Sequence, residues 1–139
     1  VEGYDESLAL DPGGYVSEGS GANVFVVVRG EILTPPLSNS ALAGITRASV
    51  ITLAQELGYP VKEQAMPREM LYLADEMFYT GTAVEVSPIT SVDRIPVGKG
   101  TVGPITRALQ QAYFAAVRGQ VADRHGWLTP VPQGAASGR

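Results

Sequence analysis

Asn23 to Val28 is a series of β-branched and aromatic residues closed in by Gly21 on one side and Arg29-Gly30 on the other. Such a run satisfies its backbone and buries its side chains as a strand inside a sheet. The Arg29-Gly30 turn sends the chain back through Glu31-Ile32-Leu33-Thr34, which makes the pair a hairpin. Upstream, Ser7 to Leu10 is short and apolar, and Asp11-Pro12-Gly13-Gly14 is a turn signal. Tyr15-Val16-Ser17 is extended again, and the glycine-rich Glu18-Gly19-Ser20-Gly21 reads as a loop between two strands. This order places Glu18 near one end of the sheet. Pro35-Pro36 ends the regular pattern, and Leu37 to Ala43 reads as a loop leading into a helix.

Val50, Ile51, Ala54 and Leu57 repeat at helical spacing, so a helix is predicted from about Thr46 to Leu57. Gly44-Ile45-Thr46 starts it, and Gly58 and Pro60 stop it. Val61 to Met66 is a predicted strand, Pro67 to Ala74 a short helix, and Glu76 to Thr80 a strand that runs into the loop Gly81-Thr82-Ala83. Strand continues over Val84 to Val92 and Arg94 to Val97, turning at Asp93. Gly103-Pro104 opens a long helix, with Ile105, Ala108, Leu109, Ala112 and Ala116 on one face and Gly119 at its end. Tyr72, Phe78, Tyr79, Tyr113 and Phe114 are expected to fill the core around the two long helices. From Thr129 onward Pro, Gly, Ala and Ser dominate, which predicts a flexible tail over 129–139.

The 139 residues, 45% hydrophobic and 17% charged, suit one compact domain of mixed α/β (α+β) class. A formal charge of -4 offers no basic field for nucleic acid or an anionic membrane, so neither is an expected partner. There is no Cys and a single His, His125, which removes thiolate and histidine-cluster metal sites. Asp75-Glu76 and Glu56 to Glu63 read as exposed faces rather than ligands of a hard cation, so no metal is expected. His125, beside Gly126-Trp127-Leu128, reads as a packing or surface residue. No apolar run approaches the roughly 20 residues that cross a bilayer, and the polar start is unlike a signal peptide, so a cytoplasmic location is expected.

The chemistry lies in the loops. Ile45-Thr46-Arg47-Ala48 recurs as Ile105-Thr106-Arg107-Ala108, each copy at a predicted helix start. Both copies can be ordinary caps, since Thr is a common cap and Pro suits a first turn. Ala43-Gly44 before the first copy lets backbone N–H groups approach a ligand, whereas Pro104 removes one such donor from the second. Only the first is therefore read as a good anion cradle. Its helix start and the Gly81-Thr82-Ala83 loop, which is otherwise a plain turn, could together hold one phosphate dianion.

Four stretches, in this order and spacing, resemble the class IV aminotransferases, which use pyridoxal 5′-phosphate, and among them the branched-chain amino-acid aminotransferases. They are Gly14 to Phe25 (GYVSEGSGANVF), Thr34-Pro35-Pro36, Leu42 to Arg47 (LAGITR) and Gly81 to Ile89 (GTAVEVSPI). The resemblance runs from Gly3 to about Leu128. It implies that residues 1–128 form the C-terminal cofactor-binding domain of that class, a pseudo-barrel of mostly antiparallel strands flanked by helices. Glu18 would sit against the pyridine nitrogen, where a carboxylate favours the protonated ring. Gly44, Ile45 and Thr46 would hold the phosphate from one side and Gly81 and Thr82 from the other, with Leu42 packed near the ring. Thr82 and Ala83 would meet the substrate carboxylate. Arg47 reads as an ion-pair residue.

The resemblance also requires a Schiff-base lysine, and neither Lys62 nor Lys99, the only lysines, matches its position, so no catalytic residue is assigned within the chain. The lysine is expected before Val1, with a small N-terminal domain and its phosphate-binding arginine. An amino-terminal half, as a separate chain or a missing segment, is thus the expected partner, in a homo-oligomer. The implied activity moves an amino group between Leu, Ile or Val and 2-oxoglutarate, with small amino acids and 2-oxo acids as substrates. D-amino-acid aminotransferase and aminodeoxychorismate lyase are the alternatives within the class. A non-catalytic cofactor-binding or assembly domain is the alternative outside it.

Overall fold

The computed structural model describes residues 3–39 and 42–132. Its centre is β3 (Ala22–Val28), antiparallel to β2 (Val16–Gly19), β4 (Glu31–Thr34) and β6 (Glu76–Gly81). β1 (Leu8–Leu10) pairs with β2 and β7 (Glu85–Pro88) with β6, both antiparallel, while β5 (Val61–Glu63) runs parallel to β4. A separate hairpin joins β8 (Ser91–Val92) to β9 (Ile95–Pro96). The two long helices are α1 (Ile45–Glu56) and α2 (Pro104–Val117). The expected mixed class and mostly antiparallel sheet are what forms.

β3 is apolar throughout because both faces of the sheet are covered. Phe25 and Val27, with Ile32, Phe78 and Val86, pack under Val50, Leu53, Ala54 and Leu109 of the helices. Phe25 stacks on Phe78 with ring centroids 5.0 Å apart. Val24 and Val26 point the other way, to Val16, Leu33, Met66, Leu71, Met77 and Val97. One strand therefore feeds two cores.

Several expectations need correction. Glu18 and Gly19 belong to β2 rather than to a loop, because a tight turn at Ser20-Gly21 returns the chain directly into β3. Pro67 to Ala74 forms a 3-10 turn over Arg68–Leu73. The Val84 to Val92 strand breaks between β7 and β8, and the Val61 strand ends at Glu63. Tyr72 is 42% exposed rather than core: its hydroxyl donates to Asp93 Oδ2 at 2.6 Å, the atom that Arg68 Nη2 also reaches at 2.6 Å. These two donors hold the Asp93 carboxyl below the usual carboxylate range. Glu76, read as exposed, is buried.

Glu76 is buried because it is the N-terminal cap of α2. Pro104 removes one donor, yet the next two amides remain: Ile105 N donates to Glu76 Oε2 at 3.2 Å and Thr106 N to Oε1 at 2.8 Å. Gly103 must be a glycine for this contact, since a Cβ there would overlap the carboxyl group. The reading that the second Ile-Thr-Arg-Ala copy is a poor anion cradle is thus overturned: it holds an anion that the protein itself supplies.

Beyond α2, Asp123 accepts hydrogen bonds from the amides of Trp127 and Leu128 at 2.8 and 3.0 Å. His125 stacks on Trp127 and meets Glu56 Oε1 at 2.6 Å, in keeping with a packing role, and so fixes this turn to the end of α1. Residues 129–132 carry no helix or strand, and the rest of the expected flexible tail, 133–139, lies outside the described residues.

Glu76→Ala leaves two amides without their charged acceptor and should lower unfolding stability by about 2 kcal/mol in urea, with Glu76→Gln losing less. The amides of Leu128 and Trp127 depress the Asp123 carboxyl, so its contribution is complete above the unfolded value of roughly 3.9 and disappears as pH falls through the lower folded one. Fluorescence of the single Trp should therefore show a step below about pH 4, which Asp123→Asn should lack.

Candidate functional site

Strand register builds a polar row at one end of the helix-facing side of the sheet. Glu18 in β2 lies opposite Asn23 in β3, and Asn23 lies opposite Thr80 in β6. The chain entering α1 crosses this row as a strap. The Leu42 amide donates to Glu18 Oε2 at 2.9 Å, and Asn23 Nδ2 donates to the Leu42 carbonyl at 2.9 Å. Gly44 has no room for a side chain, because a Cβ would overlap Asn23 Oδ1. Leu42 contributes through its backbone; its side chain is 72% exposed.

α1 starts where the strap ends. Its first internal bond is Ala48 N to Gly44 O at 3.1 Å, so the amides of Ile45, Thr46 and Arg47 precede the ladder. Among the described residues no acceptor meets them. The Ile45 side chain is 85% exposed, which leaves its amide as the useful group, while Thr46 is buried. The third loop arrives through β6: Gly81 lies so near the β2–β3 turn that a Cβ would sit 3.1 Å from Gly21 O. Thr82 and Ala83 follow in an exposed turn. Glu18, the α1 start and the Gly81 turn, far apart in sequence, therefore share one end of the sheet.

The two lysines lie at the other end. Lys62 Nζ pairs with Glu31 Oε1 at 2.9 Å where β4 begins, and Lys99 is exposed beside Gly98, which packs on the Asp75 backbone. Among the described residues no cluster of acidic, His or Cys side chains could hold a metal ion, and no helix is long and apolar enough to cross a membrane.

The donor set fits a phosphate ester joined to a basic ring. Free amides with a hydroxyl favour the dianion, and a carboxylate one strap away favours a protonated nitrogen. The same geometry at α2, filled by Glu76, shows that a helix start in this fold takes an oxyanion on two adjacent amides. Asn23 and Thr80 were not singled out from sequence. Thr80 Oγ1 is buried without a partner among the described residues. A polar residue at the head of an otherwise apolar strand was the available signal for Asn23.

The family model described as amino-transferase class IV matches residues 1–92. The chain belongs to that family. Over 129 residues it is 54% identical to the branched-chain-amino-acid aminotransferase of Salmonella typhimurium, an alignment covering 93% of this chain and 42% of that protein. Among solved structures, the Escherichia coli branched-chain amino acid aminotransferase matches with TM-score 0.92 and 53% identity, over 95% of this chain and 44% of that one. The Thermobaculum terrenum branched-chain amino acid aminotransferase in its PLP form matches with TM-score 0.90 and 45% identity, over 93% and 42%. This class IV chain thus spans less than half the length of these relatives.

If Gly44 is small because Asn23 occupies its space, Gly44→Ala should cost about 1–3 kcal/mol in urea unfolding. The cost should shrink in an Asn23→Ala background; an equal cost in both would show that the contact does not set the strap.

Proposed function

We propose that this chain is the cofactor-holding part of a branched-chain-amino-acid aminotransferase, with pyridoxal 5′-phosphate lying between Glu18 and the start of α1. The observation that carries this reading is the set of open amides at Ile45, Thr46 and Arg47, one strap away from the Glu18 carboxylate. When bound, the cofactor supplies an electron-withdrawing ring that accepts the negative charge left as the substrate loses its α-proton.

Each residue of the candidate site has a part in this proposal. The Leu42 amide fixes one Glu18 oxygen, leaving the carboxylate oriented to keep a proton on the ring nitrogen. Ile45 and Thr46 grip the phosphate through their amides and the Thr46 hydroxyl, with Gly44 giving clearance. Gly81 and Thr82 close on the phosphate from the neighbouring turn. The backbone of Thr82 and Ala83, where side chains are small, orients the substrate carboxylate.

The lysine that moves the α-proton belongs to the amino-terminal part of the enzyme, for which the relatives' greater length leaves ample chain. β1 and β7 each leave an edge unpaired among the described residues and flank one groove walled by Tyr4, Leu8, Met77, Tyr79 and Ile89. That groove offers strand edges on which the amino-terminal part can extend the sheet. The names of the relatives support branched-chain amino acids as substrates, rather than a D-amino acid or aminodeoxychorismate; we take these to be L-leucine, L-isoleucine and L-valine, with 2-oxoglutarate as the amino-group partner. A homo-oligomer in the cytoplasm completes the proposal.

The test reconstitutes the chain with a lysine-bearing amino-terminal half. Thr46→Ala and Thr82→Ala should each weaken pyridoxal 5′-phosphate about tenfold or more, the scale of one hydrogen bond to a charged group. L-leucine should react and D-alanine should not. Unchanged cofactor affinity in both variants, or a complex that binds cofactor without transaminating, rejects the proposal.

A further inference from the structure

Arg47 occupies the first turn of α1, where the positive end of the helix dipole disfavours a cation, and yet its side chain is only 7% exposed. Nη2 donates to Glu63 Oε1 at 2.5 Å and to the Pro35 carbonyl at 3.3 Å. Nε is buried with no partner among the described residues. Pro35 follows the end of β4 and Glu63 ends β5, where it is the parallel partner of Thr34. A single side chain thus ties the first turn of α1 to the ends of two strands.

Stability alone is a poor account of this arrangement. Only the guanidinium is buried, with one donor unmet, while the Glu63 carboxylate is half exposed, and a well-packed apolar side chain of similar size commonly matches or betters a charge buried in this way. A guanidinium held at two acceptors instead fixes direction as well as distance, because its fork is planar and rigid. The contrast with the repeated tetrapeptide is informative. Arg107 is exposed, and there the helix start is held by Glu76. The α1 start, whose amides meet no anion among the described residues, has Arg47.

We infer that Arg47 is a positioning residue: by anchoring the first turn of α1 to Pro35 and Glu63, it holds the amides of Ile45 and Thr46 in the orientation that receives the phosphate. This rests on the cofactor reading above and adds a side chain that is directed to Pro35 and Glu63 rather than to the cofactor.

The test uses the full chain unaltered and as Arg47→Met, Arg47→Lys and Glu63→Gln. Hydrogen exchange at the Ala48 amide reports on the α1 start without any ligand. Affinity for pyridoxamine 5′-phosphate, compared with pyridoxamine, reports on the phosphate grip. Arg47→Met should speed exchange at Ala48 and weaken the phosphate ester, each about tenfold, while exchange at Arg107 and affinity for pyridoxamine stay constant. Glu63→Gln should show a smaller change in the same direction, and Arg47→Lys should restore part of both. Equal exchange and equal affinity in Arg47→Met overturn the inference, as does matched weakening of both ligands, which marks general loss of structure. An unaltered chain that does not prefer the phosphate ester counts against the cofactor reading; the exchange at Ala48 then decides the anchoring by itself.

Discussion

The antiparallel pairing of β3 with β6, from Asn23 opposite Thr80 to Val27 opposite Glu76, decides which side chains meet the helices. Side chains alternate along a strand, so a slip of one residue would turn Asn23, Phe25 and Val27 to the other core and bring Val24 and Val26 under the helices. The stacked Phe25 and Phe78 hold the register at its centre. Polar residues then fall at both ends of the same face: Glu76 at one, and Glu18, Asn23 and Thr80 at the other.

Each polar end meets the start of a helix, and the two are completed differently. At α2 a carboxylate from β6 takes the open amides, a closed structural solution. At α1 the corresponding amides stay open among the described residues, and the nearby carboxylate is engaged by the Leu42 amide. Open amides at a helix start contribute nothing to folding and are ready for a ligand that brings its own negative charge. Arg47 belongs to this arrangement: with no anion on its amides among the described residues, the helix start is secured from its buried flank.

Much of the fold was legible because local chemistry dictated it. Glycine turns bounded the buried strand at Ala22–Val28, and helical spacing with Gly58 and Pro60 marked the limits of α1. The 3-10 turn at Arg68–Leu73 was not legible as such, since its composition also suits an α-helix. Tyr72 was misread because aromatic content suggests the core, whereas its hydroxyl has a better partner in Asp93 at the surface. Within the candidate site, Glu18 and the glycine-bearing loops at Gly44 and Gly81 were singled out from sequence, and the structure brings them to one end of the sheet. Asn23 and Thr80 were not singled out, and although Arg47 was read as an ion-pair residue its partner Glu63 was not identified, because each matters through a neighbour on another strand.

The sequence by itself determined the central hairpin, the two long helices and which segments carry small residues and hydroxyls beside glycine, because these follow from backbone freedom and side-chain periodicity within a few residues. Only the tertiary structure decided that Glu76 is a buried cap, that Glu18 and the α1 start share one strap, and that two copies of one tetrapeptide have opposite surroundings. The physical reason is that an amide or a carboxylate acquires its role from the group that reaches it, and in this protein that group arrives from a strand tens of residues away.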